Sequence, residues 1–458
     1  MKPNILLITD DQHRWDLYDN RTVAGLNTPN ISRLMSDGVT MTHAVSNCPI
    51  CMPTRMTWMY GLYAGQVSSK LLVNDSDWPA FMPSLPQALR QAGYHTALIG
   101  KLHSLGGLRK RDVCAHEDET KDRGFDDVLE VCGKSLSYWY DCQWTRHLER
   151  KGLLKKYRDD VARRIEQLGG KTPYAASFLN PEDSMDGFIG ANAAEWLKAY
   201  DRETPFFLHA SFCGPHFPID PPQKYFDRHR PEMMPAPIGV DDAVDIDRWQ
   251  KRMAAYCGMI EQIDDEVGRL ISVLESKGQL DNTLIVFGTD HGDMMGHKNR
   301  DHKGWPEDTS MRTPYIFRLP SVLPSGKVSE APMEAVDLPA TVLSAAGLME
   351  APGAYLPFTP GRSFWRYLQG HGEAPRQWAY SEMGLPGTRR CWRMVRSARW
   401  KFVQHHDGRE EFYHLPDDMW EMNNLAAREE YGAQREDCRA ALIRAMMRVT
   451  AVNRTCYT

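Results

Sequence analysis

The sequence predicts an α/β fold: a large, mostly parallel central sheet flanked by helices, followed by a smaller C-terminal α+β domain with an antiparallel sheet. Three observations carry this. Short apolar runs bounded by turn residues alternate with stretches of helical spacing over the first three quarters of the chain. Polar clusters stand directly after several of those runs, where open α/β sheets bind their ligands. Near residue 350 the pattern changes to prolines and glycines, then to short alternating segments.

In order, residues 4–9 (NILLIT) read as a buried strand that ends on Asp10, Asp11 and Gln12. Residues 83–92 read as a helix, 96–99 as the next strand and 205–211 (PFFLHAS) as another. From 253 to 276, apolar residues at Tyr256, Ile260, Ile263, Val267, Leu270, Ile271 and Leu274 keep helical spacing. Gly278 stops that helix, and 283–287 (TLIVF) follow as a strand. Pro352, Pro357, Pro360 and Gly361 mark a loop-rich passage. Beyond it, 394–396, 400–404 and 411–414 read as strands of an antiparallel sheet, and about 436–449 as a terminal helix. The expected domains are therefore 1–374 and 375–458. Residues 109–171 are charged and carry no assigned element, and there is no internal repeat.

The chain has 458 residues, 25% charged and 42% hydrophobic, with a net charge of −5. That balance draws it towards neither nucleic acid nor an anionic membrane, so an anionic substrate needs a local positive pocket. The apolar run 5–8 is too short for a secretory signal, and no stretch approaches the roughly 20 apolar residues of a membrane span. Ten cysteines form no evident framework, which fits a reducing compartment; a cytoplasmic location is expected.

Three clusters suggest chemistry. Cys51-Met-Pro-Thr-Arg55, with Gly61 six residues further on, holds a cysteine near a cation, as a lowered-pKa nucleophile or a structural thiol does. Cys48 and Cys51 also form a C-x-x-C pair, the mark of some redox sites. Asp10-Asp11 after the first strand is answered by Asp290-His291-Gly292-Asp293; such carboxylates need a cation or proton between them unless they cap helices. Lys101, His103, His216 and Lys303 would together surround an oxyanion with positive charge and proton donors.

These residues resemble the type I, formylglycine-dependent sulfatases of the alkaline-phosphatase-like superfamily. The C-x-P-x-R run resembles their maturation signature and KPNILLITDDQ their opening metal strand. GKLHSLG, RGFDD and PFFLHASFCGPHFPIDPP resemble three further motifs in the same order. MIEQIDDEVGRLISVLESKGQLDNTLIVFGTDHGDMMG, KGWPEDTSMRTPYI and YHLPDDMWEMNNLA complete the series, which spans nearly the whole chain.

The resemblance implies that Cys51 becomes formylglycine through a maturation enzyme, and that its hydrate is the nucleophile. It implies a divalent metal at Asp10, Asp11, Asp290 and His291, Ca²⁺ by family habit, with Mg²⁺ or Mn²⁺ as alternatives. Arg55 and Lys101 then stabilise the hydrate, His103 accepts a proton as sulfate is expelled, and His216 and Lys303 contact sulfate and protonate the leaving oxygen.

The chain departs from the pattern at His291, where many sulfatases have Asn, at His297 and His302, at Thr54, and in the bulk of Met56, Trp58 and Met59. The rival within the fold is a phosphonate monoester or phosphodiester hydrolase; the paired Asp10-Asp11 favours sulfate. A non-catalytic or C-x-x-C redox protein is the rival from another class. Substrate choice is expected in loops 67–79, 109–171 and 355–363, where Trp78, Trp139, Tyr140 and Trp144 are candidates for stacking on a ring, or else for core packing. They lean the reading towards a carbohydrate sulfate. Oligomeric state is not legible.

Overall fold

The computed structural model describes residues 2–18, 22–73, 76–79, 82–106, 112–169, 171–241, 244–348, 355–385, 387–388 and 390–450. Pro352 of the loop-rich passage, and 74–75, 109–111 and 170 of the expected specificity loops, lie outside the described residues.

Strand β1 (Asn4–Asp11) is buried along its whole length. Ile5 and Leu7 join one apolar cluster and Leu6 and Ile8 another, which is the period-two alternation of a strand covered on both faces. The later strands of the main body are β2 (Val39–Met41), β3 (Ala44–Val45), β4 (His95–Gly100), β5 (Asp127–Glu130), β6 (Phe206–Pro215), β7 (Thr283–Thr289), β8 (Tyr315–Arg318), β9 (Lys327–Ser329) and β10 (Met333–Glu334).

Eight of them form one sheet in the order β5-β4-β6-β1-β7-β8-β2-β9. The five from β5 to β7 are parallel, and β8 alone runs against its neighbours. The helices Cys51–Tyr60, Leu85–Gln91 and Asp337–Ala345 cover one face, and Met185–Ala199 and Ile246–Ser276 the other.

The predicted strands are all present, yet β1, β6 and β7 run two to four residues past their apolar runs. The extra residues of β1 and β7 (Asp10, Asp11, Gly288 and Thr289) carry no apolar signal yet are buried, and those of β6 (Phe212 to Pro215) run on past the polar Ser211 into a glycine and a proline, so the hydrophobic pattern stops short where the functional edge begins. The long helix begins at Ile246 rather than 253, because Asp245 caps it by accepting from the Arg248 N–H while its first turns hold few apolar residues. The unassigned stretch 109–171 contains the helices Gln143–Arg150 and Leu154–Gln167.

The C-terminal sheet is a four-stranded antiparallel meander of β11 (Ala379–Met383), β12 (Trp392–Arg396), β13 (Trp400–His405) and β14 (Glu410–His414), backed by the helix Gly432–Thr450. The sequence reading missed β11 because Ser381 and Glu382, both buried, break its apolar pattern. This sheet holds the loop after Lys303: Arg390 donates to the Lys303 carbonyl, Trp392 Nε1 to the Gly304 carbonyl at 3.2 Å, and Arg396 and Lys401 to Asp308 at 2.8 and 3.0 Å.

Asp308 is buried between two buried cations, so Asp308→Ala should leave Arg396 unpaired and Lys401 with Glu421 alone, and lower the unfolding free energy by about 3–5 kcal/mol. A urea titration checks this, and a loss below about 1 kcal/mol would contradict it.

Candidate active site

The polar residues gather at the carboxyl edge of the parallel strands. Asp10 and Asp11 end β1, Lys101 and His103 follow β4, His216 follows β6, and Asp290 and His291 follow β7. Cys51 is the first residue of its helix, and Arg55 stands one turn later on the same face. That position gives the Cys51 sulfur the positive end of the helix dipole. Gly61 ends the helix at φ 63°, and a Cβ there would stand 2.7 Å from Thr359 Oγ1, so a glycine is required.

Ligand atoms of Asp11, Cys51, Asp290 and His291, all buried, lie within 4.8 Å of one another. The Cys51 sulfur is 3.2 Å from His291 Nε2 and 3.6 Å from Asp11 Oδ1, and it accepts from Lys303 Nζ at 2.9 Å. The imidazoles of His103 and His216 also stand beside this sulfur. Lys101 Nζ donates to Asp11 Oδ2 at 2.5 Å. Arg55 donates Nε to Asp290 Oδ2 at 2.7 Å and Nη1 to the Lys101 carbonyl and Ser211 Oγ, both at 2.8 Å. The Arg55 guanidinium therefore works from behind, holding Asp290 and the Lys101 backbone, and no bond of it to Cys51 is formed.

The charges are strongly coupled. Burial alone would raise the Cys51 thiol, but Lys101, then Lys303 and His291, hold it well below its ordinary range. Burial and the Cys51 sulfur push Asp11 up, yet Lys101, His216 and Arg55 bring it net below the usual carboxylate range. Asp290 goes the other way, raised by burial and then by Asp11. Burial, then Lys101, depresses His103, and burial with Lys303 brings His216 down to about 4, so both imidazoles are neutral.

These residues fit a divalent cation. Asp290 and Asp11 repel each other, and burial works against the charge on His291 while Asp290 raises it net, so the group favours positive charge between its carboxylates. The His291 Nδ1–H faces the Gly292 carbonyl at 3.0 Å, which leaves Nε2 for a proton or a cation. Asp10 is outside the atoms that converge within 4.8 Å: its Oδ2 bonds His13 Nδ1 at 2.6 Å, and its Oδ1 is buried without a partner, free to turn to a cation. Three carboxylates and one imidazole make the oxygen-rich set that suits Ca²⁺, Mg²⁺ or Mn²⁺.

Sequence reasoning missed a support chain. Gln12, at φ 74°, donates its N–H to Asp290 Oδ1 at 3.1 Å and its carbonyl accepts from Tyr256. Its side chain accepts from Lys303 Nζ at 3.1 Å and donates to Asp293 Oδ2 at 2.5 Å. Asp293 in turn pairs with the buried Arg252 at 3.3 Å. Only the adjacency of Gln12 and Asp293 to the metal motifs signalled them, because amides and second carboxylates in such motifs carry no spacing rule of their own.

Other expectations resolve individually. Cys48 and Cys51 are both free and face apart, Cys48 towards Met383 Sδ at 3.9 Å and Cys51 into the polar cluster. Thr54 is buried, its hydroxyl bonded to Ser46 Oγ at 2.6 Å and donating to the Cys48 carbonyl at 2.8 Å, and Met56, Trp58 and Met59 are core. His297 is buried against Trp420. His302 bonds Thr172 Oγ1 at 2.9 Å, with its ring 4.8 Å from Phe217. Of the four candidate stacking aromatics, Trp78, Tyr140 and Trp144 are buried packing residues and Trp139 is 68% exposed. Among the described residues, no helix is long and apolar enough to cross a membrane.

Comparison with known proteins adds to this geometry. A family model described as Sulfatase matches residues 3–348, and one described as N-sulphoglucosamine sulphohydrolase, C-terminal, matches 297–448. An arylsulfatase of Clostridium perfringens is 26% identical, over 97% of this chain and 94% of its own length. An ulvan-active sulfatase of Formosa agariphila is 25% identical over 96% and 80%. Among solved structures, the phosphonate monoester hydrolase of Silicibacter pomeroyi superposes with a TM-score of 0.82 at 25% identity, covering 99% of this chain and 97% of that one.

In metal-free, unconverted protein, alkylation of Cys51 should titrate with a midpoint below the ~8.5 of a free thiol. Removing a positive charge raises a thiol, so Lys101→Met or Lys303→Met should move that midpoint upward. Alkylation rates read by mass spectrometry across pH check this, and an unmoved midpoint would contradict the charge assignment.

Proposed function

The chain belongs to the sulfatase family of sulfuric ester hydrolases and has its alkaline-phosphatase-like fold, and from that premise we propose that it cleaves sulfate esters with a formylglycine formed from Cys51. The observation that carries the reading is the convergence of Asp11, Asp290, His291, Lys101 and Lys303 on one buried sulfur. Conversion of Cys51 calls for a formylglycine-generating maturation enzyme. Asp10, Asp11, Asp290 and His291 would hold the divalent metal, with Ca²⁺ the expected ion.

Once formed and loaded, the formylglycine hydrate and the cation supply an oxygen nucleophile and screen its approach to an anionic sulfate. The chain's own groups do the rest. Lys101 and Lys303 give an anionic ester the local positive charge that the net charge of −5 denies it. Arg55 keeps Asp290 and the Lys101 backbone in place as charge redistributes.

His103, neutral and standing beside residue 51, is suited to accept a proton there. The His216 Nδ1–H faces the Phe217 carbonyl at 2.8 Å, which leaves its Nε2 an acceptor. Protonation of the leaving oxygen accordingly falls to Lys303, the charged donor at 2.9 Å from the sulfur.

A second reading, phosphonate monoester hydrolysis, is supported by the likeness to the Silicibacter pomeroyi enzyme along 99% of the chain. Converted enzyme given aryl sulfates and phenylphosphonate monoesters separates the two. The sulfatase reading expects a higher kcat/KM on sulfate and loss of activity on chelation that added Ca²⁺ restores. A preference for phosphonate would overturn it.

The Gln12 side chain aligns Lys303, so Gln12→Ala should lower kcat by up to about 100-fold. The loss should be larger for alkyl than for nitrophenyl sulfates, because poor leaving groups need the proton more. An equal loss across leaving groups would place Gln12 outside proton delivery.

A further inference from the structure

Next to the catalytic groups lies a cavity of 340 Å³ that the reaction chemistry has not used. Its walls come from separate segments: Tyr138 and Trp139, then Val161 and Ile165 of the helix Leu154–Gln167, then 171–173, then Phe217 with Pro218. His302 closes one side. The Phe217 ring joins cavity to site, 4.3 Å from the His216 ring and 4.8 Å from the His302 ring. Lys303, the neighbour of His302 in the chain, donates to the Cys51 sulfur at 2.9 Å, and His216 stands beside that sulfur. An ester with its sulfate at residue 51 therefore finds this cavity directly beside it.

We propose that the cavity seats the organic part of the substrate, and that it fits a flat apolar ring rather than a hydroxyl-rich sugar. The proposal rests on the sulfatase reading for what enters, but not for what the cavity binds. Trp139 is 68% exposed, with Tyr138 packed edge-on at 4.2 Å behind it, so a large rigid indole is held in water with a face to offer. The opposing wall is aliphatic and aromatic.

The lining offers few polar groups for a saccharide. The Thr172 hydroxyl is taken by His302 Nε2 at 2.9 Å, and among the described residues of the lining Lys171 is the one lysine or arginine. The hydroxyls of Ser135 and Tyr138 are left, fewer polar groups than a sugar ring would need. The carbohydrate lean of the sequence rested on four aromatics, of which three are packing residues and the fourth stands here. A volume of 340 Å³ is at the small end of small-molecule sites, enough for one or two fused rings.

The test uses the full-length protein and two probes. 2-Naphthol, followed by its own fluorescence, reports on the cavity whether or not Cys51 is converted. 2-Naphthyl sulfate against glucosamine 6-sulfate reports on substrate choice in the converted enzyme. The expected result is saturable naphthol binding, weakened at least about tenfold by Trp139→Ala and largely restored in Trp139→Phe, which separates loss of the ring from misfolding. The kcat/KM ratio of naphthyl to sugar sulfate should fall by a similar factor in Trp139→Ala. Naphthol that fails to bind, or binds Trp139→Ala as well as the parent, overturns the proposal, as does a parent enzyme that prefers the sugar sulfate. Trp139-dependent naphthol binding without turnover of any sulfate ester would support the cavity assignment and sink the sulfatase reading instead.

Discussion

Asp11 and Asp290 are buried on either side of Cys51, and the repulsion between their carboxylates is the constraint that the rest of the site answers. Each is ended by a different strand of the parallel sheet, β1 and β7, which are neighbours in register, so the backbone forces them together. Arg55 and Lys101 offset part of the charge, and Asp290 raises the pKa of the neighbouring His291 against its burial. Two buried carboxylates in a low dielectric would otherwise favour protonation, as the upward shift of Asp290 records. A divalent cation relieves the same strain without consuming a proton, which is why the arrangement reads as a metal site built for chemistry at neutral pH.

The same arrangement organises the more distant parts. Lys303 reaches the Cys51 sulfur from a loop, and loops are poor at holding a charged group to fractions of an ångström. Two devices remove that freedom. Gln12, fixed through Asp293 and Arg252, receives one of its protons, and the C-terminal sheet anchors the loop backbone through Arg390, Trp392 and the Asp308 pair. The C-terminal sheet is thus part of the catalytic support, although all of the proposed chemistry belongs to residues before 304.

Much of this was legible in the sequence because it rests on local rules. Alternation of apolar runs with a 3.6-residue period gave the parallel sheet, and polar residues at the ends of those runs gave the site. What the sequence hid lies where those rules conflict with burial. β11 is buried with Ser381 and Glu382 inside it, and the ends of β1 and β7 are buried with Asp10, Asp11 and Thr289. Gln12 at positive φ and the buried Arg252 act through partners 281 and 41 residues away, which no spacing rule reaches. The aromatics of the expected specificity loops show the opposite failure: their type suggested ligand contact, and the core claimed three of them.

The central claim is that residue 51 works as formylglycine. The direct measurement is mass spectrometry of the peptide containing Cys51 after co-expression with a formylglycine-generating enzyme, set against sulfate-ester turnover of the same preparation. The account predicts a residue lighter by about 18 Da, thiol replaced by aldehyde, with turnover proportional to the fraction converted. A thiol that persists under conditions converting a control sulfatase, or turnover that does not follow conversion, would contradict it.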